Sequence, residues 1–270
     1  MAIKRLLLTA CVVLLAVALI SIANGCSFEN SVRNSDRRRT EILVSAASDL
    51  RFAFAELGEA FERETGTRAR FNFGSSGHLA QQISQGAPVD VFASANAEFV
   101  DQLAVRGLIA SDTVALYGRG FIVLWRREES PIRIEGVEDL LAPEVRRISI
   151  ANPAHAPYGL AAREALLRAG LWERLQSKLV LAENVNQALQ FAQTGNVEIG
   201  VIALSLAIAT PEGRYLPVPE ELYDPIDQAL GVVASTRHSA EARGFVEFVN
   251  GPIGRPVMQR YGFAIPEERR

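Results

Sequence analysis

The chain has 270 residues, 49% of them apolar, which is enough to bury a sizeable core in one large domain or two lobes. Its 28 basic and 31 acidic residues give a formal net charge of −3. A slightly acidic chain offers no basic surface to a phosphate backbone, so nucleic acid is excluded as an expected partner.

The N-terminal segment differs in composition from the rest of the chain. Lys4 and Arg5 precede an apolar run at residues 6–23. Basic residues followed by an apolar run are typical of an export signal, which we assign to residues 1–25. The run exceeds the roughly 7–15 residues of a usual signal core, so a retained membrane anchor stays open as an alternative.

The two cysteines indicate where the signal ends. Cys11 lies inside the apolar run and Cys26 follows it, so removal of the signal leaves one thiol and no internal disulfide. The segment ANGC at residues 23–26 resembles the end of a bacterial lipobox, in which the cysteine is lipidated. Ordinary cleavage nearby, with an incidental thiol at Cys26, is the alternative. Either way we expect an exported protein, in the periplasm or at the outer face of the cytoplasmic membrane.

A polar segment follows the signal. Residues 26–40 lack hydrophobic periodicity and include three consecutive arginines at 37–39, which predicts a flexible tether. Contact of these arginines with anionic lipid is an alternative role. Without the signal the chain has 26 basic and 31 acidic residues. An anion must then be held by local dipoles, because the overall field opposes it.

From residue 41 onward, short apolar runs alternate with amphipathic ones, as in α/β proteins. The run at 42–47 predicts a buried strand, and steps of four, three and four from Leu50 to Phe61 predict one face of a helix that ends at Gly66. The same reasoning predicts strands at 69–73, 89–94, 121–125, 147–151, 179–182, 199–204 and 230–235, and helices at 79–85, 97–106, 160–169, 184–194, 239–249 and 253–260.

Two α/β series followed by a late return strand predict two lobes with a binding cleft between them. We expect lobe I to comprise residues 41–119 and 229–267, and lobe II residues 120–228. Each lobe should contain a mostly parallel sheet flanked by helices. Hinges are expected around 118–121 and 227–230, because two glycines in the first segment can absorb a change in backbone dihedral angles.

Four turns that follow predicted strands contain residues able to bind an anion: Ser48, Ser75–Gly77, Pro157–Gly159 and Asn184–Val185. The carboxyl ends of parallel strands share one edge, so several helix N-termini would face one crevice with unpaired N–H groups and serine hydroxyls. None of these turns contains lysine or arginine. Neutral donors suit a fully ionised oxoanion and disfavour a protonated one, which needs an acceptor.

Each of these residues also has a purely structural interpretation. Ser48 is a favoured N-cap, Ser75 and Ser76 are common turn residues, and Pro157 is a common first helical residue. Asp49 is the nearest carboxylate, and we expect it to stabilise its own helix rather than to face the site.

The histidines show no metal-binding pattern. His78, His155 and His238 lie far apart in the sequence without HxH or HxxxH spacing, so no metal site is expected. The sequence also lacks GxSxG, Walker A and paired catalytic carboxylates. No catalytic residue is therefore assigned.

Several segments resemble the molybdate-binding proteins of ATP-driven importers: ILVSAASDL, FNFGSSGHLAQQISQGAPVDVFASAN, ANPAHAPYG, AENVNQAL and VEFVNGPIGRPVMQRYGF. The resemblance covers residues 41–266. It implies a hinged, two-lobed periplasmic-type binding protein in which hydroxyls and backbone N–H groups hold the oxoanion between the lobes. It also implies a membrane permease of an ABC transporter as partner, with molybdate or tungstate as ligand and no cofactor.

The resemblance assigns the ligand contacts position by position. Some relatives supply a tyrosine from a strand where this chain has Ala203, whereas others carry it in the APYG turn, so the phenolic donor is assigned to Tyr158. The candidate oxoanion-binding residues are Ser48, Ser76, Tyr158 and Val185, with Ser75 and Ala95 as a second tier.

The sequence thus predicts a monomeric, non-enzymatic binding protein that delivers molybdate or tungstate to an importer. Sulfate or another tetrahedral oxoanion is an alternative cargo for the same donors. A hydrolase on a similar scaffold is a second alternative, but it needs a base beside Ser48 or Ser76, and only His78 is near in sequence. A regulator's sensing domain would require an attached DNA-binding helix pair, which the N-terminus does not supply.

Overall fold

The computed structural model of the protein describes residues 40–265, and residues from Glu41 onward belong to one compact unit. The expected export signal, the lipidation of Cys26 and nearly all of the expected tether fall outside the described residues. Inside that range, no helix is both long enough and apolar enough to cross a membrane.

Strands and α-helices alternate along the described residues. The strands are β1 (Glu41–Ala47), β2 (Arg68–Gly74), β3 (Val91–Ser94), β4 (Ala115–Gly120), β5 (Ile122–Arg127), β6 (Ile148–Ala151), β7 (Leu179–Ala182), β8 (Ile199–Ala203), β9 (Gly213–Pro217) and β10 (Ile226–Val232). The α-helices are α1 (Arg51–Thr65), α2 (Ser76–Ser84), α3 (Ala97–Val105), α4 (Pro157–Arg168), α5 (Trp172–Leu175), α6 (Val185–Gln193), α7 (Leu204–Ile208), α8 (Ser239–Val249) and α9 (Gly254–Arg260).

Two five-stranded sheets form the centres of the two lobes. Lobe I has the strand order β2-β1-β3-β10-β4, and lobe II has β7-β6-β8-β5-β9. Each sheet has two parallel pairings followed by two antiparallel ones. The two-lobed α/β fold predicted from the sequence is confirmed, although the antiparallel share of each sheet is larger than the pattern indicated.

The sequence pattern did not predict β4 and β9, and β10 starts earlier than expected. β9 pairs only with β5 at the sheet edge and has no fully buried residue, so it lacks an apolar signature. β4 contains two glycines and an arginine. β10 begins at Ile226 rather than at residue 230, because the polar residues Asp227 and Gln228 lie inside the strand.

The chain crosses from one sheet to the other at two places. β4 of lobe I ends at Gly120 and β5 of lobe II begins at Ile122, so only Phe121 separates them. The return passes through residues 218–225, between β9 and β10. The first expected hinge segment therefore has one residue outside the strands, and the second, 227–230, lies within β10.

Helix α1 shows how apolar spacing positions the site. Its spaced aromatic and aliphatic side chains are buried in the core of lobe I, where Phe54 packs edge-on against Phe245 of α8 with ring centroids 5.7 Å apart. The helix ends at Gly66, whose φ of 74° is the left-handed conformation that glycine adopts readily. This anchoring fixes the preceding turn, Ser48–Leu50, at the lobe interface.

Candidate oxoanion site

The four turns identified from the sequence line one small cavity between the lobes. Lobe I contributes the carboxyl ends of β1, β2 and β3, and lobe II contributes the N-termini of α4 and α6. The lining residues are Ala47, Ser48, Asp49, Gly74, Ser75, Ser76, Ala95, Ala156, Pro157, Tyr158 and Val185. The structure therefore brings together all six residues that the sequence analysis named as contacts.

The cavity is small. About 180 Å³ of space between its walls is free of protein atoms. The lobes thus meet closely around the cavity, as expected for a binding protein in its closed form.

The hydroxyl groups of Ser48 and Ser76 are oriented by the backbone. The Ala95 N–H donates to Ser76 Oγ at 3.0 Å, and the Asn186 N–H donates to Ser48 Oγ at 3.4 Å. Each oxygen accepts a hydrogen bond, so its own hydroxyl group remains free to donate one. Neither serine makes a capping bond to its helix. The interpretation of Ser48 as an N-cap is therefore wrong.

Backbone groups supply further donors. Val185 is the first residue of α6, and N–H groups of a first turn have no acceptor within their own helix. The Asn184 side chain caps this helix by accepting from the Gln187 N–H at 3.1 Å. The N-termini of α2, α4 and α6 all contribute residues to the cavity wall, and their partial positive charges favour an anion there.

Asp49 lines the cavity instead of serving only its own helix, which corrects the expectation from the sequence. Its Oδ2 accepts hydrogen bonds from Tyr158 Oη at 2.9 Å and from Gln228 Nε2 at 3.0 Å. Gln228 in turn accepts from the Tyr117 hydroxyl at 2.7 Å. Within the described residues, the buried Asp49 Oδ1 has no hydrogen-bond partner. One oxygen of this buried carboxyl group is thus without a hydrogen-bond partner among the described residues.

Burial raises the pKa of Asp49 to about 6, although the hydrogen bonds from Gln228 and Tyr158 act in the opposite direction. Burial and the charge of Asp49 raise the pKa of Tyr158 well above its usual value. The phenol therefore stays protonated and donates to Asp49. Tyr158, the assigned phenolic donor, lies in the cavity wall with its hydroxyl already in use.

Two histidines that are distant in the sequence meet beside the cavity. The rings of His78 and His155 stack with centroids 3.8 Å apart, and His78 Nδ1 lies 2.5 Å from Glu183 Oε1. His155 Nδ1 lies 2.8 Å from Ser75 Oγ. Burial and the nearby His78 lower the pKa of His155. The expectation of no metal site rested on sequence spacing, which gave no sign that these two histidines meet.

Serine–histidine pairing does not form a catalytic triad here. His155 contacts Ser75, whereas the carboxylate of Glu183 bonds to the other histidine, His78. Ser76, the serine considered for a hydrolase, accepts from the backbone of Ala95 instead of contacting a base. Among the described residues, no hydrogen-bonded serine–histidine–carboxylate series occurs.

Comparison with known proteins gives consistent matches over nearly all of the described chain. Residues 42–264 match the family model described as bacterial extracellular solute-binding protein. The chain is 32% identical to the molybdate-binding protein ModA of Rhodobacter capsulatus, over 83% of this chain and 88% of that protein. It is 30% identical to the putative ABC transporter substrate-binding lipoprotein YvgL of Bacillus subtilis, over 92% of this chain and 95% of that protein.

Solved structures of binding proteins also match this chain. The periplasmic molybdate-binding protein of Azotobacter vinelandii superposes with a TM-score of 0.80 at 30% identity, covering 84% of this chain and all of that one. The sulfate-binding protein SubI of Mycobacterium tuberculosis superposes with a TM-score of 0.73 at 16% identity, covering 85% of this chain and 88% of that one. The second likeness concerns the fold alone.

Proposed function

Because the chain belongs to the family of bacterial extracellular solute-binding proteins, we propose that it captures molybdate or tungstate outside the cytoplasm and delivers it to the permease of an ABC importer. The observation that carries this proposal is a small cavity to which both lobes contribute uncharged donors. Its lining contains no lysine or arginine, and its one carboxyl group, that of Asp49, accepts from Tyr158 and Gln228. The relatives named as molybdate-binding proteins support the choice of cargo. The protein acts by binding and release, not by chemical conversion.

Capture follows from the placement of the donors on two lobes. In an open form, the anion first meets the hydroxyls of Ser48 and Ser76 on lobe I. Closure then brings the Val185 N–H and the N-terminus of α4 from lobe II, and the ligand shifts the population toward the closed form. We propose the expected division into two lobes with one adjustment: the second crossing lies at residues 218–225 rather than at 228–229, because β10, which begins at Ile226, belongs to the sheet of lobe I.

The N-terminal segment completes the proposal. Residues 1–25 would direct export, Cys26 would carry a lipid, and residues 26–40 would tether a monomeric domain near its permease. The relative named a lipoprotein supports the anchor. Lipid labelling of the wild type and of Cys26→Ser in the native host distinguishes this anchor from ordinary cleavage.

Calorimetric titration of the purified protein with molybdate, tungstate and sulfate tests the cargo. We expect molybdate and tungstate to bind more tightly than sulfate, with one ion per chain. Sulfate binding at least as tight as molybdate binding would contradict the cargo assignment and favour the sulfate alternative.

Replacement of either serine tests the site. Ser48→Ala and Ser76→Ala should each weaken molybdate binding by about 1–3 kcal/mol, because a charged acceptor loses one donor. Ser149→Ala is a matched control, since Ser149 is equally buried but donates to the Ala188 carbonyl oxygen, away from the cavity lining. Unchanged affinity in both site variants would show that these hydroxyls do not contact the ligand.

A further inference from the structure

Three side chains able to ligate a metal ion lie together where the lobes meet. His78 belongs to α2 of lobe I, whereas His155 and Glu183 follow β6 and β7 of lobe II. One potential ligand atom from each residue lies within 4.8 Å of the other two. Three separate segments thus converge, and the proposed capture of the anion uses none of these side chains.

His155 is held by contacts on its backbone and its ring. Its carbonyl oxygen accepts from the Gly77 N–H at 2.9 Å, and Ser75 Oγ lies 2.8 Å from its Nδ1. A hydrogen bond at one ring nitrogen is how metal-binding histidines are usually oriented, because it fixes the tautomer and leaves a lone pair on the other nitrogen. Ser75 can supply that contact to His155.

We propose that His78, His155 and Glu183 bind a divalent transition-metal ion such as Zn²⁺, with water as the fourth ligand, and that this ion fastens lobe I to lobe II. Two imidazoles and a carboxylate are a donor set that suits Zn²⁺, whereas Ca²⁺ and Mg²⁺ prefer oxygen ligands. The choice of metal class thus follows from the side chains present.

The geometry requires only a modest contraction. Ligand atoms on a tetrahedral Zn²⁺ with bonds of about 2.0–2.1 Å lie about 3.4 Å apart. The present separations reach 4.8 Å at most. The side chains of His78 and Glu183 are 41% and 55% exposed, so they are free to rotate toward a common ion. This rotation would separate the stacked imidazole rings.

An ion at this position stabilises only the closed arrangement, because opening the lobes carries His78 away from its two partners. Ion and cargo should then raise each other's affinity by the same factor. This coupling rests on the proposed function, whereas ion binding at the cluster does not.

Calorimetric titration of the purified full chain with ZnCl₂, with and without saturating molybdate, tests the site. We expect one Zn²⁺ per wild-type chain, bound at least about tenfold more tightly when molybdate is present, within the usual range of coupling between sites. Molybdate should dissociate correspondingly more slowly when zinc is bound, as stopped-flow measurements would show.

Two variants make the test specific. The double variant His78→Gln/Glu183→Gln should bind zinc at least about 100-fold more weakly, lose the coupling, and keep its molybdate affinity in the presence of a chelator. His238→Gln is the matched control, because His238 lies beside Asp90 at 3.4 Å and outside the cluster. Melting temperatures should be similar for all three proteins, since the replaced side chains are partly exposed.

Equal zinc affinity of the wild type and the double variant would overturn the site. Zinc bound at the cluster without any change in molybdate release would overturn its role in fastening the lobes. Failure of the wild type to bind molybdate in the presence of a chelator would instead contradict the proposed function, because the zinc titration without molybdate does not depend on it.

Discussion

Asp49→Asn is expected to bind molybdate up to about 100-fold more tightly than the wild type at pH 8. The pKa of Asp49 is about 6, so its carboxylate is charged at that pH and repels an anion in the same cavity. Asparagine has the same shape without the charge. Its amide oxygen can accept from Tyr158, and its amide nitrogen can take the place of the unpartnered Oδ1.

The pH dependence follows from the sign of this shift. A bound dianion raises the pKa of Asp49 further, to a value that we expect to lie above 8, so binding takes up a proton at pH values between about 6 and that raised pKa. Wild-type affinity should therefore fall by about tenfold for each pH unit from 6 to 8, which gives the hundredfold difference. Asp49→Asn should show a flat profile over this range.

The free energy of unfolding of the wild-type protein should also fall as the pH rises. The folded-state pKa of Asp49 is raised from 3.8 to about 6, so the folded protein is favoured below pH 4 and loses that stability as the pH rises through 6. The loss corresponds to about 3 kcal/mol, at about 1.4 kcal/mol per pKa unit. Relative to the wild type, Asp49→Asn should thus gain free energy of unfolding between pH 4 and pH 7, as urea titrations at several pH values would measure.

Asp90→Asn provides the control for removal of a buried carboxylate. Asp90 accepts from the Leu43 N–H at 2.7 Å and does not line the cavity. We expect this variant to keep the wild-type pH slope of molybdate binding. Loss of binding in Asp49→Asn would contradict the prediction, because it would show that the charged carboxylate is needed as an acceptor, as for a protonated oxoanion.

Gly77→Ala should weaken molybdate binding by about 3 kcal/mol, or about 150-fold, while leaving the fold intact. Gly77 of lobe I meets His155 of lobe II through the hydrogen bond between the Gly77 N–H and the His155 carbonyl oxygen. A Cβ at Gly77 would lie 2.7 Å from that oxygen and 3.1 Å from the His155 Cα. Backbone atoms cannot turn aside, so the added methyl group holds the lobes apart.

Gly244→Ala is the control for replacing a helical glycine that makes no contact between the lobes. Gly244 lies inside α8, and a Cβ there would meet no heavy atom within 4 Å. This control should bind normally and gain up to about 1 kcal/mol of stability from better helix propensity. Small-angle scattering should show Gly77→Ala remaining extended when molybdate is added, whereas wild-type affinity in Gly77→Ala would show that this contact does not limit closure.

The sequence predicted the location of the site because strand ends are easy to identify. The strands before Ser48 and Val185 are apolar runs, and β2 before Ser76 alternates apolar with polar residues, so the three turns could be placed at a common edge. The carboxyl ends of the parallel strands share one edge in each sheet, even though the remaining strands are antiparallel. The grouping of the turns needed only strand order, not side-chain detail.

Side-chain partners across the lobes were not predictable in the same way. Asp49 bonds to Gln228 and Tyr158, which lie far along the chain, and Gln228 sits in a strand whose polar residues conceal it. His78 and Glu183 likewise meet only after both lobes have formed. The Asp49–Gln228 bond joins distant segments of lobe I, whereas the contacts of Asp49 with Tyr158 and of His78 with Glu183 also depend on lobe closure. Single-sequence periodicity contains no information about either kind of contact.

Phe121, the single residue between β4 and β5, is the expected pivot for opening of the lobes. One crossing between the lobes is a single residue, which can twist but cannot lengthen, whereas the other is the eight-residue segment 218–225. Opening should therefore resemble a lever turning about Phe121, with small displacements near that residue and large ones at distant rims. A pair of fluorophores near Phe121 would consequently give little signal on binding, and a sensor for the cargo should carry its labels on rims far from this joint.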